Sequence, residues 1–225
     1  MSQSDTMPHF QSFECVNPEC RLRFANDLST SVINRCPGCG SEMVKSGEPY
    51  TNFQRPPSAE RAQGFALALV LDNLRSAHNV GSIFRTANGA GVRHIYCCGT
   101  TPTPDHRGVK KASLGAEENT PWSYHPNGPS VVDDLHTTGN HVLALESTTN
   151  SKSLFAPGSI PMEYKLIALV LGNEISGIDP LVLQKADASI YIPMAGVKTS
   201  INVAVAAGIV LYWLVDRLNQ LHENY

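Results

Sequence analysis

Two apolar runs restrict this chain more than anything else in it. FALALVL occupies 65–71, and KLIALVL, apolar after its lysine, occupies 165–171. Neither alternates apolar with polar residues, so each suits a strand covered on both faces. Strands of that kind belong to parallel sheets wrapped by helices. From residue 65 onward, helix-like and strand-like stretches do alternate. A helix is expected over about 79–90, a strand at 93–98 (RHIYCC) and a helix at 130–138 (SVVDDLHTT). A strand at 141–147 (HVLALES), a short helix opened by Pro180, a strand at 189–193 (SIYIP) and a long helix over about 199–222 complete the series. The expected fold class is α/β with a largely parallel sheet.

The 225 residues allow one sizeable core and a small appendage. With 42% hydrophobic and 16% charged residues, the chain reads as globular rather than disordered. A net charge of −3 does not announce a polyanion binder, but the distribution is uneven. Residues 75–111 hold six bases (Arg75, Arg85, Arg93, Arg107, Lys110, Lys111) against one acid, Asp105. A local basic surface of this kind either binds a polyanion or is simply solvated. The N-terminus has no basic region followed by an apolar stretch, so no secretory signal is expected. The longest apolar run, residues 201–215, contains Asn202 and is short for a membrane span. A cytoplasmic protein with no membrane partner is the expectation, with Cys97 and Cys98 as reduced core thiols.

Composition divides the chain into residues 1–45, a Pro-, Gly- and polar-rich linker at 46–64, and the α/β domain at 65–225. The first piece carries Cys15-x4-Cys20, fifteen residues, then Cys36-x2-Cys39. This spacing resembles a zinc ribbon, in which two knuckles supply four thiolates to a structural Zn²⁺. In CPGCG, Gly40 permits the tight turn after the second ligand. So short a piece builds little core, which motivates a metal staple. Iron in the same cage, two disulfides or four unrelated thiols are the other readings, and His9 is an unneeded fifth ligand.

No G-x-G-x-x-G follows the first strand, which argues against an ordinary nicotinamide enzyme. Three small-residue segments stand out instead: DNLRSAHNVGSIFRTANGAGV (72–92), LVLGNEISGID (169–179) and IPMAGVKTSINVAVAAGIVLY (192–212). Arg85 is the lone charge of its stretch, and its small neighbours leave room for a backbone to approach. Gly172 and Gly177 allow tight turns and close approach of a ligand to backbone amides. Asn173 and Glu174 then project from a strand's carboxyl end, where open α/β sheets bind ligands. Thr199 and Ser200 are good N-cap residues for the last helix, whose free N–H groups suit a ligand's polar edge. The plainer readings are a mere cap for Ser200, a satisfied buried amide for Asn202 and a loop charge for Glu174.

Taken together, the segments resemble the three motifs of the SpoU/TrmH family, within the SPOUT superfamily of RNA methyltransferases. The first pairs Asn79 with Arg85. The second is Gly172-Asn173-Glu174 followed by Gly177. The third is Ile192-Pro193-Met194, Gly196, then Ser200, Asn202 and Ala206, with Ile201 where the family often has Leu. KKASLGAEE at 110–118 is similar to the family's Ser-x-Gly-Ala stretch. The likeness covers roughly residues 66–220 and excludes the cysteine-rich piece.

The resemblance implies a SPOUT-type sheet whose C-terminal part is threaded into a deep trefoil knot, an exception to the rule against knots. It implies S-adenosylmethionine as cofactor, a homodimer joined through the C-terminal helix, and 2′-O-methylation of a ribose in tRNA or rRNA. Leu171, Gly172, Asn173, Gly177, Ile192, Met194 and Ser200 would hold the cofactor. Arg85, Asn79, Glu174, Ser200 and Asn202 would form the catalytic set, with Asn79 orienting Arg85 or the substrate and Glu174 either catalytic or fixing a loop. Arg107, Lys110 and Lys111 would contact phosphates, adding affinity rather than sequence choice. A guanidinium stays protonated and is a poor general base, so Arg85 suits positioning and charge stabilisation better. The proton would pass to an RNA phosphate, to Glu174 or to water. The alternatives are a non-catalytic RNA-binding protein that keeps the knotted fold, or a zinc-ribbon adaptor for a protein partner.

Overall fold

Apolar runs separated by small-residue helices do build an α/β unit, in a computed structural model that describes residues 9–29, 33–51, 66–160, 164 and 166–222. The chain divides into two units, Met1–Ala59 and Glu60–Tyr225. The first holds four antiparallel strands, β1 (His9–Cys15), β2 (Arg23–Asp27), β3 (Met43–Lys45) and β4 (Tyr50–Thr51). β1 pairs with each of the other three. Among its described residues, Phe13, Cys15, Cys36 and Met43 form the hydrophobic core, with Cys20, Phe24 and Ile33 packed against them. Residues 46–51, linker by composition, join this sheet. β4 pairs with β1, and the Gln11 side chain donates to the Gly47 carbonyl at 2.9 Å. The remaining linker, 52–64, together with residues 1–8, Phe65, Lys165 and the His9 side chain, lies outside what is described.

The second unit is a seven-stranded sheet. Its strands are β5 (Ala66–Asp72), β6 (His94–Cys98), β7 (Trp122–His125), β8 (His141–Leu145), β9 (Lys152–Ser153), β10 (Leu166–Leu171) and β11 (Ala188–Tyr191). The order is β7-β6-β5-β10-β8-β11-β9, and every pairing is parallel. β5 and β10 lie side by side at the centre, in register from Ala66–Leu166 to Leu71–Leu171. That central position is why these two runs need no polar face.

Side chains alternate between two helical layers, as the pleat requires. Leu67, Leu69, Leu71, Ile167 and Leu169 face α1 (Ala77–Gly89), α2 (Arg107–Ser113) and α5 (Val203–His222). Ala68, Val70, Ala168 and Val170 face α3 (Gly128–Thr137) and α4 (Pro180–Lys185). Cys97 and Cys98 fall one on each side, and burial pushes both thiols up to about 12. They are inert core residues, as expected.

The glycines of the first motif serve helix packing. A Cβ at Gly81 would lie 2.5 Å from the Val109 carbonyl oxygen and 2.6 Å from the Ala112 Cβ, so α1 and α2 touch backbone to backbone. One at Gly89 would lie 2.9 Å from the Tyr212 hydroxyl of α5. The room around Arg85 is thus taken by neighbouring helices. α5 starts at Val203, later than expected, and the cap is neither Thr199 nor Ser200. Asn202 Oδ1 accepts from the N–H groups of Ala204 (2.9 Å) and Val205 (3.4 Å). Asn caps at least as well as Ser or Thr, and here it alone reaches those donors. β11 stops at Tyr191, short of Pro193, which has no N–H for a ladder. Among the described residues, no helix is long and apolar enough to cross a membrane.

Candidate active site

The carboxyl ends of β5, β8, β10 and β11 open toward one another. The loops that follow β8, β10 and β11, with Asn79 of α1, line a cleft of about 950 Å³. Its apolar wall is made by Leu145, Leu171, Ile192, Met194 and Ala206, and its polar wall by Asn79, Glu146, Asn173, Glu174, Ser200 and Asn202.

Loop 172–179 owes its shape to two glycines and an amide. A Cβ at Gly172 would lie 2.4 Å from the Ile178 nitrogen and 2.5 Å from the Gly177 carbonyl carbon. The close approach here is by the loop's own backbone. Gly177 sits at φ +75°, a left-handed conformation that favours glycine. Asn173 and Gly177 exchange two backbone hydrogen bonds of 3.0 Å, closing the loop. The Asn173 side chain ties both directions, donating to the Asn73 carbonyl at 2.6 Å and accepting from Ile175 N–H at 2.9 Å.

Glu174 joins that loop to α1. Its Oε2 accepts from Arg75 N–H at 3.0 Å, and its Oε1 accepts from Ser76 N–H at 3.3 Å and from Asn79 Nδ2 at 2.9 Å. Asn79 Oδ1 in turn accepts from Asn202 Nδ2 at 3.0 Å. One chain of hydrogen bonds therefore links a residue from each of the three motifs. Partial burial alone would raise the Glu174 pKa. The Arg75 N–H and the Asn79 amide, with a smaller part from Ser76, hold it below the ordinary value. The carboxylate is charged and fully engaged, a poor proton acceptor.

Every residue expected to hold the cofactor lines this cleft: Leu171, Gly172, Asn173, Gly177, Ile192, Met194 and Ser200. Of the catalytic set, Asn79, Glu174, Ser200 and Asn202 line it, and Arg85 does not. Six residues after Asn79, Arg85 lies about 240° around α1 and about 9 Å further along it. It is exposed, and among the described residues it has no hydrogen bond or ion pair. Asn79 orients Glu174 and Asn202 rather than Arg85. Arg107, Lys110 and Lys111 are exposed on α2, apart from the cleft.

Two acids were not anticipated from sequence. Glu146 follows β8 and lines the cleft, with Oε2 accepting from Ile178 N–H at 3.0 Å. Asp72, 1% exposed, accepts from Asp179 N–H at 2.7 Å and from Asn73 Nδ2 at 2.9 Å, and burial raises its pKa. Both stand at carboxyl ends of strands, a position that marks ligand-side residues in such sheets.

Residues 66–212, which carry all of these groups, match the SpoU rRNA Methylase family. The chain belongs to the SpoU/TrmH family. It is 33% identical over 171 residues to YacO of Bacillus subtilis, assigned to the TrmH family of tRNA/rRNA methyltransferases. That match covers 74% of this chain and 65% of YacO, so the chain spans less than two thirds of that relative. Among solved structures, an AdoMet-bound rRNA methyltransferase from Sinorhizobium meliloti is similar with a TM-score of 0.64 and 26% identity, over 80% of this chain and 66% of that one. A protein solved for insight into 2-OH methylation of C/U34 on tRNA has a TM-score of 0.60 at 25% identity, over 70% of this chain and 99% of its own.

In this SpoU/TrmH chain the four-cysteine cluster lies outside the family match. The sulfurs of Cys15, Cys20, Cys36 and Cys39 all lie within 4.8 Å of one another. Cys15 and Cys39 are 3.5 Å apart and Cys20 and Cys36 3.7 Å, too far for disulfide bonds. Four Zn–S bonds of about 2.3 Å in a tetrahedron set sulfurs about 3.8 Å apart, so the cage has the right size. Gly40 follows its knuckle at φ +75°, and Arg21 takes the equivalent place in the other at φ +47°. The Ser41 hydroxyl and N–H draw the Cys39 pKa down to about 6, whereas burial pushes the neighbouring Cys15 thiol up to about 12.

Proposed function

We propose that this chain is an S-adenosylmethionine-dependent RNA methyltransferase that modifies a ribose 2′-OH in tRNA or rRNA. In this reading it works as a homodimer in the cytoplasm and holds a structural Zn²⁺ on Cys15, Cys20, Cys36 and Cys39. The observation that carries the reading is the Glu174–Asn79–Asn202 chain, which locks three distant motifs around one cleft. Its volume and mixed walls suit a nucleoside-sized ligand. Leu171, Ile192 and Met194 would pack on it, and the backbone of loop 172–179 would meet its polar edges. When bound, the cofactor supplies an electrophilic methyl group.

The chain's own residues do the rest. Glu174 fixes the start of α1 against loop 172–179 and is not the base, since both its oxygens are engaged. Ser200 and Asn202 border the place where the hydroxyl must sit. Arg85 grips the RNA phosphate bidentately and stabilises the developing charge. The proton passes to an RNA phosphate oxygen or to water. Because Arg85 stands away from the cleft of its own subunit, it serves the cleft of the second copy. The exposed Val205 and Tyr212 of α5 support that face as the dimer contact. The path from β11, beyond β8, back to α1 beside β5 supports a knotted C-terminal segment. Arg107, Lys110 and Lys111 would add salt-sensitive contacts to RNA.

Arg85→Ala should abolish methyl transfer while zinc content and cofactor binding stay near wild type. Mass spectrometry of treated RNA reads the outcome, and 2′-O-methylation at wild-type level would sink the role. A wild-type chain that binds RNA but never methylates it would favour the non-catalytic alternative. Mixing Arg85→Ala with Asn202→Ala subunits tests the arrangement between copies. Random pairing should restore about a quarter of wild-type activity if Arg85 acts across the dimer, and none if it acts within a subunit.

A further inference from the structure

Glu146 is a charge without a task in the mechanism above. It is half-buried at the carboxyl end of β8 and lines the cleft. Its Oε2 accepts from Ile178 N–H at 3.0 Å and its Oε1 from Ser147 N–H at 3.2 Å. The carboxylate also lies against Gly177, where a Cβ would come within 2.5 Å of Oε2. These contacts hold the group in place without neutralising its charge. Among the described residues it has no cationic partner. Glu174, the other acid of the cleft, is consumed by α1, and Lys198, the one basic lining residue, pairs with neither. A half-withdrawn carboxylate that lacks a counter-charge favours a ligand that brings one.

We propose that Glu146 makes the cleft prefer a cationic sulfonium nucleoside to its neutral thioether product. The assignment rests on the cofactor reading above. S-adenosylmethionine carries a positive sulfur that S-adenosylhomocysteine lacks, and the two are otherwise nearly the same shape. A fixed negative group lining the site therefore separates them by charge, holding the donor and easing release of the spent cofactor.

Calorimetry on the zinc-loaded full chain tests this with three ligands: S-adenosylmethionine, S-adenosylhomocysteine and an analogue with an ammonium group at the sulfonium position. The wild type should bind both cations about tenfold more tightly than the thioether. In Glu146→Gln, which keeps one oxygen for Ile178 N–H, that preference should vanish while thioether affinity changes less than about twofold. Equal weakening of all three ligands would reduce Glu146 to a loop strap and overturn the assignment. So would a wild type that does not discriminate, whatever the variant does. If the wild type binds none of the three, the cofactor reading itself fails and takes this assignment with it.

Discussion

Glu174 shows what a residue's partners do to its chemistry. As a loop charge it would be free to take a proton, but two backbone N–H groups and the Asn79 amide hold it ionised. Its pKa is lowered in the folded protein, so its stabilising contribution is complete above the ordinary carboxylate range. That contribution is lost as pH falls through the lowered value. Thermal unfolding of the wild type and Glu174→Gln should therefore differ most at neutral pH and converge as the pH falls below the ordinary carboxylate range. A gap that widens on acidification would contradict the hydrogen-bonded carboxylate. Its partners were not legible in the sequence, because the donors stand roughly a hundred positions earlier in the chain. The motif left Glu174 a catalytic or a loop-fixing role, and these contacts are of the second kind. Arg85 is the converse case. A spacing of six residues already puts Asn79 and Arg85 about 120° apart around a helix, on different faces. Motif identity paired them, and helix geometry separates them.

Helices and strands were readable to different degrees, for physical reasons. β5 and β10 are covered on both faces, so their unbroken apolar runs could belong to little else. The start of α5 was ambiguous because Thr199, Ser200 and Asn202 all have capping side chains within four positions. Only tertiary placement, with Asn202 also bonded to Asn79, decides among them. α1 offers a test in which local propensity and packing predict opposite signs. Glycine to alanine inside a helix should stabilise by about 1 kcal/mol on propensity alone. At Gly81 the added methyl meets the Val109 carbonyl oxygen at 2.5 Å, and that atom is backbone. Gly81→Ala should therefore lose about 1–3 kcal/mol in chemical denaturation. A stabilised variant would mean that α1 and α2 do not touch as described.

The two units rest on different sources of stability. The second buries leucines and valines on both sides of its sheet, whereas the first has four buried core residues, two of them cysteines. If the four thiolates hold zinc as proposed, a strong chelator should release one zinc per chain and unfold the β1–β4 sheet. Far-UV dichroism should record a partial loss, with the unfolding transition of the larger unit retained. Because the thiolates must shed their protons to bind, the metal should be held more weakly as pH falls. An intact β1–β4 sheet after complete zinc loss would refute the staple. The spacing of the cysteines exposed this unit in the sequence. The strand at 50–51 was hidden because two polar-flanked residues carry no period. In the larger unit the outermost strands are brief: β9 has 2 residues, and β7 has 4 and follows Pro121. Such short margins are poor templates for recruiting a further strand from another molecule. Concentrated protein should thus resist edge-to-edge pairing through this sheet.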